Sequence, residues 1–191
     1  NFFKYLEPQI GDRSFGICTN NLAVAKKYVE SMRVDVVQVA LNFLDFSANI
    51  ELLKYLKTKG VRIHARSVLS SGILSGKYSV ASNVEFSDPL RSRFTQNEDN
   101  RQILEERLSR VQLIQAFFEL HNLNASSGCL TLPQFVYNIM SQCPYVDDVI
   151  KGGSDTDQIK ENSVQVRIDD CKLADEIFSE HTLTKFSARY I

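Results

Sequence analysis

The regular alternation of short β-branched runs with longer helical segments, between residues 14 and 67, most constrains what this chain can fold into. The connections between the runs hold only a few residues, which predicts right-handed βαβ units and a parallel sheet. The run VDVVQVAL is rich in apolar, β-branched residues, as is typical of a strand buried on both faces. The predicted elements are strand Ser14–Cys18, helix Asn21–Met32, strand Val34–Leu41, helix Ser47–Gly60 with Ser47 as its cap and Gly60 as its stop, and strand Val61–Ser67.

The rest of the chain continues this pattern after a long polar segment, residues 79–100, which contains Pro89 and has no sustained period. A loop of this length in a compact domain is usually functional or mobile. Four βα units in one domain of 191 residues suit a small open doubly wound sheet or about half of a (β/α)8 barrel, since a whole barrel needs about 250 residues. The further predicted elements are helices Arg101–Leu123 and Thr131–Gln142, strand Val146–Gly153, and helices Asp155–Val166 and Asp169–His181. The first of these helices has an apolar stripe through Leu104, Leu108, Val111, Ile114 and Phe118.

Charge and composition exclude several classes of protein. Lysine and arginine total 22 against 23 acidic residues, scattered along the chain, so nucleic acid is not an expected partner. No window approaches a membrane span and the first residues lack a secretory signal, so we expect a cytoplasmic protein without a membrane partner. The cysteines are far apart, which predicts reduced core thiols rather than a metal site or a disulfide framework. They are Cys18, Cys129, Cys143 and Cys171.

Two segments place small residues between a strand and a helix. RSVLSSGILSGK follows the third strand and KGGSDTDQIKEN follows the fourth. Uncommitted backbone amides at such positions suit an anion, most often phosphate, while ordinary turn chemistry is the alternative explanation. Neither segment contains a dinucleotide fingerprint or a P-loop motif.

Three stretches together resemble the C-terminal half of an aldo-keto reductase, over nearly the whole chain and in the family's order. They are VDVVQVALNFLD, ELLKYLKTKGVRIHARSVLSSGILSGKY and LPQFVYNIMSQCPYVDDVIKGGSDTDQIKEN. The resemblance implies an α/β fold, the C-terminal half of a (β/α)8 TIM barrel, with about four parallel strands alternating with helices. It also implies reduction of an aldehyde or ketone with NADPH.

The resemblance implies a cofactor site along the carboxyl ends of the strands. At the nicotinamide end, Gln38 would bond the carboxamide and Arg66 would stack on the ring, where the family commonly has an aromatic residue. Around the pyrophosphate, Ser67, Leu69 and Lys77 would line the site and Gly72 would allow close approach. The residue-level alternatives are a satisfied core amide for Gln38 and a solvated charge for Lys77.

At the adenosine end, the resemblance implies Ser154 and Gln158 at the ribose and any 2′-phosphate, beside Gly153. Glu161 and Asn162 would meet the adenine, or they form an ordinary exposed helix turn. The resemblance implies NADP as the cofactor. Asp155 lies beside the expected 2′-phosphate, where a carboxylate repels a dianion, so NAD is a possible alternative.

The chain departs from the family in two ways. The pair of residues that holds the carboxamide falls on Cys18 and Thr19, or on Thr19 and Asn20. The family's catalytic Asp, Tyr, Lys and His belong to its N-terminal half and have no match here, so we assign no catalytic residue. The chain opens on Asn1, and we expect that an N-terminal half was cut or left out.

We therefore expect the complete protein to be an NAD(P)H-dependent aldo-keto reductase of a small carbonyl substrate, and these residues alone to be inactive. The alternative is a non-catalytic nucleotide-binding half barrel, or an interaction module, that pairs with itself or another chain. An open half barrel would expose strand edges and an apolar inner face, which favours such pairing. A structural remnant that binds nothing is a third hypothesis, and the sequence does not specify a substrate.

Overall fold

The computed structural model describes residues 5, 8–81, 84–86, 88–120, 131–163 and 175–187. Its four strands form one parallel sheet in the order β1-β2-β3-β4. The strands are β1 (Gly16–Thr19), β2 (Val36–Ala40), β3 (Arg62–Arg66) and β4 (Asp148–Val149). The helices are α1 (Leu22–Ser31), α2 (Ile50–Thr58), α3 (Glu98–Leu120), α4 (Leu132–Met140), α5 (Thr156–Ser163) and α6 (Glu180–Phe186). Short 3-10 helices cover Ser47–Asn49, Ser70–Ser75 and Ser92–Thr95.

The ends of α2 show one wrong and one confirmed prediction. Ser47 does not cap the helix, because α2 is preceded by a 3-10 turn without a side-chain cap. The Ser47 hydroxyl is instead hydrogen-bonded to that of Ser187. Gly60 ends the helical segment as predicted, with φ of +73°, a left-handed conformation that favours glycine.

The face of the sheet that α1 and α2 cover is apolar. Val37 and Val39 of β2 and Ile63 of β3 are fully or almost fully buried there. The intervening positions Val36, Gln38 and Ala40 are only partly buried, so the prediction that β2 is buried on both faces is wrong. Within the described residues, helices cover only one side of these strands. Buried and partly buried side chains therefore alternate along β2, as in a strand that is covered on one face.

The other side of the sheet, which we call the open face, carries a polar row. The parallel register aligns Cys18, Gln38, His64 and Asp148. The Cys18 thiol donates to Gln38 Oε1 at 3.3 Å, and His64 Nε2 lies 3.0 Å from Asp148 Oδ2. The prediction of an apolar inner face is therefore wrong, because the side chains in the central row of the open face are polar.

The cysteines do not share one environment. Cys18 is exposed on the open face, so it is not the core thiol predicted. Cys143 is buried as predicted, and burial raises the pKa of its thiol to about 12. Cys129 and Cys171 lie outside the described residues.

The second part of the fold centres on the long helix α3. Its predicted apolar stripe is buried throughout: Leu104, Leu108, Val111, Ile114 and Phe118. The helix begins at Glu98, and the 3-10 turn before it buries Phe94, so the predicted loop over residues 79–100 is partly structured. None of the helices in the described ranges has the length and apolar character needed to cross a membrane.

Two further boundaries differ from the predicted ones. The fourth strand pairs only at Asp148 and Val149 instead of extending to Gly153. Of the predicted helix over residues 169–181, residues 169–174 lie outside the described residues and residues 175–177 are helical. The helix α6 begins at Glu180, which places His181 in a first turn rather than a last one.

Candidate functional site

The carboxyl ends of β2 and β3 open into a cavity of about 300 Å³. Parallel strands bring the connections that follow them to one edge of the sheet, which is where α/β folds commonly bind ligands. The cavity is lined by residues that follow β1, β2 and β3, together with residues of the segment before α3 and one from α3 itself. They include Asn20, Asn42, Arg66, Ser67, Arg93 and Arg107.

Arg66, the last residue of β3, is partly buried and lines this cavity. Its guanidinium donates through Nη2 to Asn20 Oδ1 and through Nη1 to Ser67 Oγ, the latter at 3.3 Å. Its Nε is buried and has no hydrogen-bond partner among the described residues. The side chain is thus held at the cavity with its Nε donor unused.

The turn after β3 has an unusual backbone. Ser67, Ser70 and Ser71 have φ of +54°, +49° and +57°, values that residues with a side chain rarely adopt. Gly72 follows at +89°, and a Cβ added there would meet only Arg91 Nη1, at 4.0 Å. Leu69, with φ of −88°, precedes left-handed Ser70, and a right-handed residue followed by a left-handed one forms a concave backbone that suits anions. Gly72 leaves room for a close approach.

A buried ionic network holds this turn from outside. Arg107 of α3 is 2% exposed and donates to Asp45 Oδ1 at 3.0 Å and to Ser70 Oγ at 2.8 Å. Asp45 also accepts from Asn42 Nδ2 at 2.7 Å. The network therefore links α3, the connection after β2 and the turn after β3. A buried charge is tolerated only when it is paired in this way.

The segment between β4 and α5 is organised by its own residues. The Ser154 amide and hydroxyl donate to Gln158 Oε1 at 3.2 and 3.0 Å. The Gln158 backbone amide in turn donates to Asp155 Oδ1 at 2.9 Å, and its side-chain Nε2 donates to Asp155 Oδ2 at 2.6 Å. A Cβ added to Gly153 would lie 3.0 Å from the backbone nitrogen of Ile159, so only glycine fits there without a shift.

The end of α5 is attached to the same segment. Asn162 is 6% exposed and donates to the Gly152 carbonyl at 2.7 Å. The carbonyl of Glu161 accepts from Gln134 of α4 at 3.2 Å. For Asn162, the alternative of an exposed helix turn is wrong. Nearby, burial lowers the pKa of Lys151, whose ammonium lies 5.7 Å from the Tyr137 ring centre.

The sequence-predicted residues fall into separate groups in space. Arg66 and Ser67 both line the cavity. Gln38 lies on the open face, two positions before Ala40, and Ala40 is another residue of the cavity lining. Leu69 packs against the core, whereas Lys77 is exposed. The predicted adenosine group lies together on the β4–α5 segment and does not line this cavity.

Sequence reasoning missed four polar residues of the cavity: Asn42, Asp45, Arg93 and Arg107. A signal existed for Arg107, since a charged residue beside Leu108 interrupts the apolar side of α3. Asn42 and Asp45 likewise interrupt the apolar stretch LNFLDF. Polar residues in apolar surroundings indicate a satisfied buried network or a site.

Comparison with solved structures shows a shared fold. A glycerol dehydrogenase from Gluconobacter oxydans matches with a TM-score of 0.56 and 17% identity, over 94% of this chain and 53% of that one. The holo form of an aldo-keto reductase from Bacillus halodurans matches with a TM-score of 0.57 and 16% identity, over 93% and 54% of the two chains. The chain thus spans about half the length of these structures.

The matches bear on the predicted architecture. Four parallel strands alternating with helices, matched to about half of each solved chain, confirm the prediction of an α/β chain forming part of a (β/α)8 barrel. No curated protein matches the sequence significantly. The model of the aldo/keto reductase family matches residues 12–177. The chain therefore belongs to the aldo/keto reductase family.

Proposed function

We propose that this chain binds NADP or NAD and forms the cofactor-binding half of an oxidoreductase that reduces an aldehyde or ketone to an alcohol. The observation that carries the proposal is the left-handed turn Ser67–Gly72 beside a cavity lined by arginines, at the carboxyl ends of the strands. Membership of the family supports oxidoreductase chemistry.

The residues present fit a dinucleotide at this edge. The concave turn with room above Gly72 suits a pyrophosphate, and the buried Nε of Arg66 lacks a partner that a bound group could provide. Exposed Lys77 follows Gly76, the residue that caps the 3-10 helix Ser70–Ser75, and would supply a positive charge. When bound, the cofactor would supply the hydride.

The protein's own residues would bind and orient. Gln38 would bond the carboxamide, and the flat guanidinium of Arg66 would lie against the nicotinamide ring. Ser67 and Leu69 would contact the pyrophosphate. Gly153 and Ser154 before α5, and Gln158, Glu161 and Asn162 on it, would hold the adenosine. No proton-transfer residue is assigned within this chain, and we propose that the complete protein supplies one and works in the cytoplasm.

The choice between NADP and NAD depends on Asp155. Its carboxylate already accepts from Gln158, the residue proposed to face the ribose. A 2′-phosphate next to this carboxylate is repelled, whereas a free ribose hydroxyl donates to it. We expect Asp155→Ser to strengthen NADPH binding relative to NADH binding, and an unchanged ratio contradicts this role.

The test is a fluorescence titration of the chain with NADPH and NADH. Lys77→Met should weaken binding by about tenfold, because a charged contact to the pyrophosphate is lost. Lys54→Met is the matched control, since Lys54 is paired with Glu51 on α2, away from the site. Absence of binding by the unchanged chain contradicts the proposal. Binding without carbonyl reduction by the 191 residues is the expected result and leaves open the non-catalytic alternative, an interaction module that pairs with another chain.

A further inference from the structure

Ser70 is the buried member of the three left-handed serines in the turn after β3. It is 7% exposed, whereas Ser67 is exposed and Ser71 is partly buried. A glycine would adopt its φ of +49° without strain, so the serine adds strain and in return supplies a hydroxyl group. The hydroxyl oxygen accepts a hydrogen bond from Arg107 Nη2 at 2.8 Å. Among the described residues, the hydroxyl proton has no acceptor.

The backbone amides of the same turn are partly used by the turn itself. The Ser70 amide donates to the Ser67 carbonyl at 2.8 Å, and the Gly72 amide donates to the Leu69 carbonyl at 2.9 Å. These two amides hold the turn in shape and are not available to a ligand. A phosphate group bound at this turn therefore also needs donors from side chains.

Arg107 makes the Ser70 hydroxyl a stronger donor. A hydroxyl oxygen that accepts from a guanidinium is polarised, which strengthens the hydrogen bond that its own proton donates. Arg107 also donates to the two oxygens of Asp45 at 3.0 and 3.3 Å, and this carboxylate balances its charge. Arg107 is thereby fixed in place, and it acts on a ligand through Ser70 rather than as an unpaired cation.

We propose that the Ser70 hydroxyl donates to a pyrophosphate oxygen of the cofactor and that Arg107 is the residue that positions and strengthens this donor. The inference rests on the proposed function and adds to its site one residue that contacts the ligand and one that acts through it. The geometry that carries it is a buried side chain lining a cavity of about 300 Å³, with its acceptor used by Arg107 and its donor unused.

The experiment is a fluorescence titration with NADPH of the 191-residue chain carrying Ser70→Ala or Ser70→Gly. Both changes remove the hydroxyl, but only glycine adopts the left-handed backbone without strain. Both variants should bind NADPH about tenfold more weakly, because a hydrogen bond to a charged oxygen is lost. If Ser70→Gly keeps the wild-type affinity, Ser70 acts only through the shape of the turn and the inference is overturned.

The control is Ser109→Ala on α3. The exposed Ser109 hydroxyl donates to the Glu105 carbonyl and does not line the cavity. This variant should bind NADPH like the wild-type chain. If Ser70→Ala does not fold, as judged by its circular dichroism melt, Ser70→Gly alone decides the outcome.

Arg107→Lys tests whether the arginine acts through Ser70. Lysine keeps a cation beside Asp45 but lacks the fork that reaches both Asp45 and Ser70. It should weaken NADPH binding by about threefold in the wild-type chain and change nothing further in the Ser70→Gly chain. Additive losses overturn the positioning role. Recovery of affinity in the double variant overturns the contact, because the loss in Ser70→Gly then comes from the arginine left without its acceptor.

The outcomes also separate this inference from the proposed function. A wild-type chain that does not bind NADPH overturns the proposed function and this inference with it. NADPH binding that is equally tight in the wild-type chain and in both Ser70 variants overturns this inference alone.

Discussion

The two small-residue segments, after β3 and after β4, both place glycine and serine after a strand but are supported in different ways. The turn Ser67–Gly72 has left-handed serines and is held by Arg107, which comes from α3. The segment Gly152–Gln158 bonds mainly to itself and to α5. Segments in equivalent positions thus reach ordered backbones by a long-range network in one case and by local hydrogen bonds in the other. Mutations should affect the two segments in correspondingly different ways.

The largest effect is expected from Arg107→Met. The change leaves the Asp45 carboxylate buried without its cation, which should cost about 3–5 kcal/mol of unfolding free energy. Urea denaturation measures it. The double variant Arg107→Met/Asp45→Leu is the control and should lose clearly less, because both charges are gone. If the double variant is as unstable as the sum of the singles, the network does not support the turn in the way described.

In the β4–α5 segment, Gly153→Ala should cost about 1–3 kcal/mol, because the new methyl group would press on the backbone of Ile159. Gly152→Ala is the matched control, since an added Cβ there meets nothing within 4 Å. Its effect should be within about 0.5 kcal/mol. Equal thermal unfolding of the two variants would show that the local packing of this segment is looser than described.

Asp147→Asn tests how far the β4–α5 segment depends on more distant elements. Asp147 precedes β4 and bonds Lys57 of α2 at 2.7 Å and the Ile63 amide of β3 at 2.7 Å. Burial opposes its charge, but these bonds outweigh that effect, so the pKa of Asp147 lies below its usual value. We expect a loss of about 1 kcal/mol at neutral pH.

The stability lost in Asp147→Asn should depend on pH, because the pKa of Asp147 is lowered in the folded state. A carboxyl whose pKa is lower in the folded state stabilises fully above its unfolded pKa of about 3.9, and the contribution disappears as the pH falls through the folded value. The wild-type chain and Asp147→Asn should therefore converge in stability as the pH falls through the lowered pKa of folded Asp147. Asp157→Asn, at an exposed position, should change little at any pH. A constant gap down to low pH would mean that the charge of Asp147 is not responsible.

The smallest effect is expected at the strained turn. Ser71→Gly relieves a left-handed serine, worth about 1 kcal/mol or more, but raises the entropy of the unfolded chain, for a net gain of about 0.5 kcal/mol. Ser75→Gly should instead destabilise, because Ser75 has helical backbone angles and its hydroxyl accepts from the Lys77 amide. Denaturant midpoints of the two variants should shift in opposite directions.

The features that could be predicted from the sequence are those that depend on residues close together in the chain. The βα alternation, the stop at Gly60 and the apolar stripe of α3 were all recovered, because each rests on local spacing. The Arg107 network was missed because its partners Asp45 and Ser70 are 62 and 37 residues away. The left-handed serines were also missed, since serine usually avoids that conformation and only tertiary contacts hold it there.

The buried or exposed state of each strand face was predicted less well. The run Val34–Leu41 contains no alternation that distinguishes one covered face from two. The polar row was therefore unforeseen, although Gln38 and His64 were visible in their strands. The cofactor residues came from family resemblance, and binding measurements are needed to test them.

The parallel register that aligns Cys18, Gln38 and His64 has a consequence for changes in chain length. Side chains alternate between faces, so inserting one residue into β2 before Gln38 would turn this glutamine toward the helices and a valine toward the open face. Single substitutions do not change the face of the sheet on which each side chain of the strand lies. Deletion and insertion libraries should therefore tolerate length changes in residues 79–91 far better than in β2 or β3, even where the inserted residue is itself a good strand former.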